Sequence, residues 1–552
     1  MNSYSPSIRR IGFWGLVLLP IVVYGYWLAT YAVNIPLFDD HAFKNFLLKW
    51  NENLSFFERI RLIFSQHNEH RVAFTRLIIL TIYGLTGQLN YVAMMWVGNL
   101  LVLGIYVLLV RMVVSVAATT NRKSFDWTNT WLALPIAFGL FTLQFHENTF
   151  WGMASLQNFG VVFWAILTFY AIARQNFWLG VLLGFCATFT SGNGFLVLGI
   201  VGLYLLSVRD YSKFIVWLGF TSVLLVLYFV GYQRPPGNPT EVNLHQFGLF
   251  LQGLAVLSGA FFDVMIHSPL QQRINLAMLG GVAILSLTAI VLGRYVVNWI
   301  RHQKLTWGES MAVMTVLFVL GTAALTVWGR LGFGMGLLLT SRYKIYSVVL
   351  TLTVVASLLL ISQRLRTIWW QGSLVLISVM YWSIVNFEQL EEVIFHRKFM
   401  IASQWNGQYE PSVKGVPYKA PSISLDSKWN LVSTHSVKID SVYRVNNQFV
   451  VLNKSLPFDE TQSEGIYIAL VNNAKQYVIP CRQNRNRSKK NLLKGGAYFS
   501  NGFVAEINES DWPKGIYHLK VLAVDPHQVK VYDTPQAIEI VNGKSADLQK
   551  NW

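Results

Sequence analysis

Residues 11–40 read IGFWGLVLLPIVVYGYWLATYAVNIPLFDD and follow two arginines, Arg9 and Arg10. Up to Val33 the run is apolar for roughly 22 residues, long enough to cross a hydrocarbon core of about 30 Å. It exceeds the apolar core of a signal peptide, about 7–15 residues, and Thr30-Tyr31-Ala32 is only a weak cleavage-site mimic. The run is therefore expected to be an uncleaved first span. Past it, after Pro36, stands an acidic pair, Asp39-Asp40.

Further runs of spanning length fall near 90–116, 129–146, 151–173, 176–191, 193–208, 213–232, 275–297, 309–328, 343–362 and 368–387, which predicts about 11 transmembrane helices. With the amino terminus cytoplasmic, the inward breaks carry Arg122 and Lys123, Arg174, Arg209 and Lys213, Arg301 and Lys304, and Arg364 and Arg366. Every inward break is then basic, as topology requires. Two apolar stretches do not fit as spans. Residues 72–87 are short and carry Arg76, and a crossing at 246–264 would invert everything after it. Both are expected as amphipathic helices on the outer surface.

Composition agrees: the 552 residues are 53% hydrophobic and 13% charged, which excludes a string of soluble domains. Lys and Arg total 44 against 27 Asp and Glu, a net of +17. The basic excess sits between apolar runs, so it reads as topology and not as nucleic-acid binding. With two cysteines, Cys186 in an apolar run and Cys481 in the tail, there is neither a disulfide framework nor a four-cysteine zinc site.

After about residue 400 the apolar runs become short and alternating, as in Phe449-Val450-Val451-Leu452 and Gly465-Ile466-Tyr467-Ile468, with turn signals at Asn472-Asn473, Pro513-Lys514-Gly515 and Asn542-Gly543. The expectation is an α-helical polytopic membrane protein whose residues 1–395 form the membrane domain, with a large first external loop at 34–88. Residues 396–552 would then be an external all-β, sandwich-like domain. The basic run 482–490, RQNRNRSKK, reads as a solvated hairpin loop or as a contact for an anionic polymer.

Asp39-Asp40 is the strongest chemical signal. Two adjacent carboxylates at a membrane surface repel each other and are costly to desolvate, so they serve either a function or a solvated turn capping the helical stretch from His41. The loop then runs through amphipathic helix to Gln66-His67-Asn68-Glu69-His70-Arg71, a second apolar surface segment and the small-residue turn Gly84-Leu85-Thr86-Gly87 before the second span.

This order of elements over residues 10–390 resembles the C-type (GT-C) glycosyltransferase superfamily, polytopic bacterial enzymes that use polyprenyl-phosphate sugars. The resemblance implies that Asp39 or Asp40 is the catalytic base on the acceptor hydroxyl. One base with no second carboxylate as covalent nucleophile implies inversion at the anomeric carbon. His67, Glu69, His70 and Arg71 occupy the place of a substrate-binding element near the second surface helix, without the prolines many relatives carry there. A divalent metal is the one cofactor they could hold, although three such ligands in a helical turn match no recognised zinc spacing.

Four more stretches come into consideration. Glu147, in Gln144-Phe145-His146-Glu147-Asn148, is either a solvated loop residue or part of the sugar site. Gln157 and Asn158, two turns into a span, either join helices or bind sugar hydroxyls. Ser191-Gly192-Asn193-Gly194 reads as a tight hairpin turn. Arg342 and Tyr343, after the glycine-rich 329–336 and with Arg330 and Lys344 near, place cations against the topological bias, which suits either lipid headgroups or the departing lipid phosphate.

The expected activity is transfer of a sugar from a polyprenyl-phosphate donor to a cell-envelope glycan, lipid or protein, at the outer face of the bacterial cytoplasmic membrane. A lipid-linked glycan flippase and a non-enzymatic envelope-assembly scaffold are the competing readings. No nucleic-acid partner is expected.

Overall fold

The computed structural model describes residues 6–115, 131–233, 247–361, 367–407, 416–419, 435–457, 465–472, 476–486, 498–524 and 529–543. The expected inward cations Arg122, Lys123, Arg364 and Arg366, and residues 487–490 of the basic run, lie outside them. Two compact units result: Met1–Ala32 with Asn45–Gln389, and Val33–Lys44 with Leu390–Trp552.

The first unit is helical. Among the described residues, eight helices are long and apolar enough to cross a membrane: Ile11–Tyr31, Tyr91–Val114, Gly152–Ala173, Tyr211–Phe229, Leu270–Ile300, Trp307–Phe333, Ser341–Leu359 and Trp369–Trp405. The expected count of about 11 is not confirmed among the described residues. The segments expected to span at 129–146, 176–191 and 193–208 contain the helices Ala133–Leu140, Phe177–Thr188 and Leu196–Ser207. At 12 residues, each of the last two is about 18 Å long, short of a full core. A hydropathy window counts apolar residues and cannot see where the helix stops.

Helix starts follow their capping residues. Asn90 Oδ1 accepts from Ala93 N at 2.9 Å, and Thr306 and Glu309 form a reciprocal capping box. Tyr24 of the first span donates to Asn99 Oδ1 of the second at 2.5 Å and meets Thr149 Oγ1 at 2.8 Å. The helix Phe247–Ser258, expected on a surface, has its second half buried against Ala277, Ala323 and Val327. Small residues allow that approach, because a Cβ on Gly281 would run into the Ala255 carbonyl oxygen. Ala73–Thr86 does form a helix, with Ala73, Arg76 and Ile79 on its buried face, where Arg76 donates to the carbonyls of Leu62, Ile63 and Ser65.

Several helix ends share one end of this unit. Trp299 Nε1 donates to Ser207 O at 2.8 Å, and Arg174 stands 5.4 Å from the Trp307 ring, so Arg174, Arg209 and Arg301 are grouped there.

The second unit is built on two sheets. Strands β3 (His435–Ser436), β6 (Gly465–Val471), β7 (Gln476–Pro480), β10 (Gly515–Val524) and β11 (Val529–Ile540) pair in the order β3-β11-β10-β6-β7. The other sheet runs β4-β5-β9-β8 from β4 (Ser441–Val445), β5 (Gln448–Asn453), β8 (Arg482–Arg485) and β9 (Phe499–Asn508). Val451, Phe503 and Ile507 of one sheet and Ile468, Leu519 and Ile538 of the other form a common core, as in a sandwich. Strand β6 is buried on both faces: Ile466, Ile468 and Leu470 face that core, while Tyr467 and Ala469 cluster with Ala402 and Trp405.

The division between units falls at Gln389/Leu390, inside the helix Ile368–Trp405. Its end is clamped to the sandwich by Arg482 on Glu392, Arg485 on Glu391, and the Asn406 amide paired with both Val478 N and Val478 O. The segment Val33–Lys44 belongs to this unit too, since Asn34 Nδ2 donates to Lys419 O at 2.7 Å and Tyr418 OH donates to Asn34 O.

Candidate functional site

In the second unit, Asp39 and Asp40 occupy a short 3₁₀ turn, Phe38–Asp40, and the turn makes them unequal. Asp40 is fully buried; its Oδ2 accepts from Leu37 N at 3.1 Å and its own N–H donates to Leu37 O at 2.9 Å. Asp40 thus closes the Phe38–Asp40 turn back onto Leu37, whereas Asp39 keeps partial exposure. Phe38, immediately before them, adopts φ 44 and is 51% exposed. A bulky aromatic in the left-handed region is strained, and such strain concentrates at functional turns. Burial, with the Lys44 ammonium adding to it, lowers His41 to about 4, so the imidazole beside the pair is neutral at pH 7.

In the helical unit, the segment Gln66–Arg71 is a hairpin and not the helix expected. Strands β1 (Gln66–His67) and β2 (His70–Arg71) pair antiparallel through Asn68, whose φ of 48 suits asparagine. His67 and His70 are thus cross-strand partners, not neighbours on a helical turn. Among the described residues no group of three His, Cys, Asp or Glu could hold a metal ion.

Arg71 is engaged by backbone carbonyls. Its guanidinium donates to Tyr228 O at 2.5 Å, Phe64 O at 2.6 Å and Val230 O at 2.6 Å, so it ties the hairpin to a helix end and has few donors left for a ligand. His67 contacts the Asn68 amide at 3.4 Å.

His70 and Glu69 do join a network. His70 Nδ1 accepts from Gly192 N at 3.2 Å, which leaves Nε2 as the protonated nitrogen of the neutral ring, 3.9 Å from Glu69 Oε2. The same carboxylate oxygen pairs with Arg330 at 3.3 Å. Gly192 must be glycine for this, because a Cβ there would stand 2.5 Å from His70 Nδ1. The 3₁₀ turn Gly192–Phe195, between the helices Phe177–Thr188 and Leu196–Ser207, is thus the seat of a candidate residue. Beside it, Gln157 Nε2 donates to Ser191 Oγ at 3.3 Å.

Gln157 and Asn158 lie in one π-helical turn, Ser155–Phe159, a distortion common at functional sites. Asn158 Nδ2 donates to Asn148 Oδ1 at 2.8 Å, and Asn148 Nδ2 donates to Arg342 O at 2.8 Å. Glu147 Oε2 accepts from Arg342 N at 3.1 Å, while Glu147 N donates to Ser341 Oγ at 3.1 Å. Ser341 Oγ also meets His146 Nδ1 at 3.3 Å. Arg342 is thus held through its backbone on both sides, and the expected sugar ligand Glu147 serves to position it.

The guanidinium of Arg342 is different. Its Cζ stands 5.2 Å from the Tyr343 ring, its buried Nε has no hydrogen-bond partner, and no carboxylate faces it among the described residues. The neighbouring cations are compensated. Arg330 pairs with Glu69, and Lys344 and Arg273 both pair with Asp263, at 2.8 and 2.7 Å. Burial opposes the Asp263 charge, but the hydrogen bonds from Arg273 and the Lys344 ammonium outweigh it and hold the carboxyl below its usual range. Asp263 and Arg273 were not singled out in the sequence; a lone acid between apolar runs with a basic residue ten positions on was the available signal.

The structure therefore links Glu147, Asn158 and Arg342 in one hydrogen-bonded network within one unit, and Glu69, His70 and Gln157 through the Ser191-Gly192 turn. Arg71 is tied to the carbonyls of Tyr228, Phe64 and Val230, and Asp39 and Asp40 belong to the other unit. No protein-family model, curated protein or solved structure matches the chain.

Proposed function

We propose that this protein is a multi-pass membrane glycosyltransferase that moves a sugar from a polyprenyl-phosphate carrier to a glycan, lipid or protein of the bacterial cell envelope. The observation that carries the reading is Arg342. A positioned guanidinium without an acidic partner, in a surrounding where every neighbouring cation has one, suits an anion that arrives with the substrate.

In this reading the acceptor hydroxyl gives its proton to a carboxylate base, the role the resemblance gives to Asp39 or Asp40, as its oxygen attacks the anomeric carbon. The bond from that carbon to the phosphate oxygen breaks, and the negative charge gathering on the departing polyprenyl phosphate is met by Arg342. Inversion follows from a single displacement. The grouping of Arg174, Arg209 and Arg301 at one end of the helices supports placing that end at the cytoplasmic face of a membrane.

The test is the purified full chain in lipid nanodiscs, given a panel of polyprenyl-phosphate sugars and envelope acceptors. Acceptor-dependent release of free polyprenyl phosphate is the expected result. No release from any donor, with sugar-lipid moved across vesicles instead, would replace the reading by transport; neither would leave a scaffold.

A further inference from the structure

The long helix Ile368–Trp405 carries one polar stripe facing its own unit, and most of that stripe is satisfied. Tyr381 OH donates to Gln144 Oε1 at 2.5 Å, Trp382 Nε1 donates to Phe141 O at 2.8 Å, and Asn386 Oδ1 accepts from Leu143 N at 2.9 Å. Tyr381, Trp382, Asn386 and Gln389 repeat at helical spacing, so they lie on one face. The same segment they meet, residues 141–149, also holds Arg342, through Glu147 and Asn148.

Toward the end of the stripe the satisfaction stops. Asn386 is 6% exposed and its Nδ2 has no partner; Gln389 is 1% exposed and neither its Nε2 nor its Oε1 has one. A buried amide unpaired at both ends is rare, because each polar atom forfeits its hydration for nothing. The amides first expected to bind sugar are engaged elsewhere: Asn158 Nδ2 with Asn148, and Gln157 Nε2 with Ser191.

We propose that Asn386 and Gln389 recognise the sugar of the donor. This rests on the glycosyltransferase reading and deepens it. The unfilled atoms are two donors and one acceptor, all uncharged, and a hydroxyl can both donate and accept, so a polyhydroxylated ring satisfies the set. A carboxylate would leave the Oε1 acceptor unmet and an apolar group would leave all three. With Arg342 held by the same 141–149 segment, the pair and the guanidinium together address the two halves of a glycosyl phosphate. Their amides discriminate among sugars; Arg342 does not.

The experiment measures binding of two ligands to the full chain in nanodiscs: the sugar-bearing polyprenyl phosphate that wild type turns over best, and bare polyprenyl phosphate. Gln389→Leu fills the same volume without the polar ends. It should weaken the sugar-bearing ligand roughly ten-fold or more while leaving bare polyprenyl phosphate unchanged, and the ligand-free midpoint of unfolding should hold or rise. Unchanged affinity for the sugar-bearing ligand would overturn the proposal, identifying Gln389 as an amide that binds only internal water. Should the leucine variant not accumulate, Gln389→Glu keeps the shape and exchanges the donor for an acceptor, and the same comparison decides. Arg342→Ala distinguishes the underlying reading: it should weaken both ligands. If wild type binds neither, the glycosyltransferase reading falls and this assignment falls with it.

Discussion

Arg342→Lys and Arg342→Ala test the phosphate contact most directly. The guanidinium has no ionic partner among the described residues, and the hydrogen bonds that fix it use its backbone N–H and carbonyl. Replacing the side chain therefore breaks no ion pair and leaves its anchors to Glu147 and Asn148 in place. In the ligand-free protein the cost should be small, within about 1 kcal/mol, and removal of the unpaired buried Nε offsets part of it. In the donor complex the account is opposite. A hydrogen bond to a charged group contributes about 1.5–3 kcal/mol, so losing a two-pronged contact in Arg342→Ala should weaken donor binding by about 10²-fold. Lysine keeps the charge but loses the planar fork, for about a ten-fold loss. Donor affinity would be measured with a fluorescent polyprenyl phosphate in nanodiscs, beside the thermal midpoint of each variant. A large fall in midpoint with donor affinity retained would refute the reasoning, since Arg342 would then be a structural cation like Lys344.

Asp39→Asn should lower turnover by roughly 10² to 10⁴ with donor affinity retained, whereas Asp40→Asn should act mainly on stability, because Asp40 caps Leu37 N. Single-turnover sugar transfer beside thermal unfolding separates the two, and equal kinetic losses with no change in midpoint would contradict the assignment. Arg71→Leu should destabilise by about 3 kcal/mol, measured as a lowered midpoint, since three backbone carbonyls lose their donor. Gly192→Ala should displace His70 and cost about 1–3 kcal/mol, read from the same midpoint, with little loss if the ring can swing away freely.

What the sequence made legible follows from the range of the forces involved. Apolar runs and alternating strands are local patterns, so the helical unit and the β unit could be read directly. The three short segments could not be, because helix ends there are set by turns such as Ser191–Gly194 and not by hydropathy. The hairpin at Gln66–Arg71 was hidden for a related reason: two residues per strand carry no periodicity, and only Asn68 between two histidine-bearing arms hinted at a turn.

The candidate site divides along the same line. Arg342 could be found because a cation against the topological bias is visible in one dimension. Whether that cation is already neutralised is not, because the acids around it are placed by the fold: Glu147, 195 positions away along the chain, meets its backbone, and Asp263 serves Lys344 and Arg273. Glu147 turns its carboxylate to the Arg342 backbone and leaves the guanidinium uncompensated, a distinction of one atom that no spacing rule encodes. The same holds for Asn386 and Gln389. Amides in an apolar helix signal a partner, but only the packed unit shows that Tyr381 and Trp382 have theirs and that Gln389 does not. The proposed function therefore rests on Arg342, Asn386 and Gln389, buried polar groups that the described residues leave without a partner for part of their hydrogen-bonding capacity.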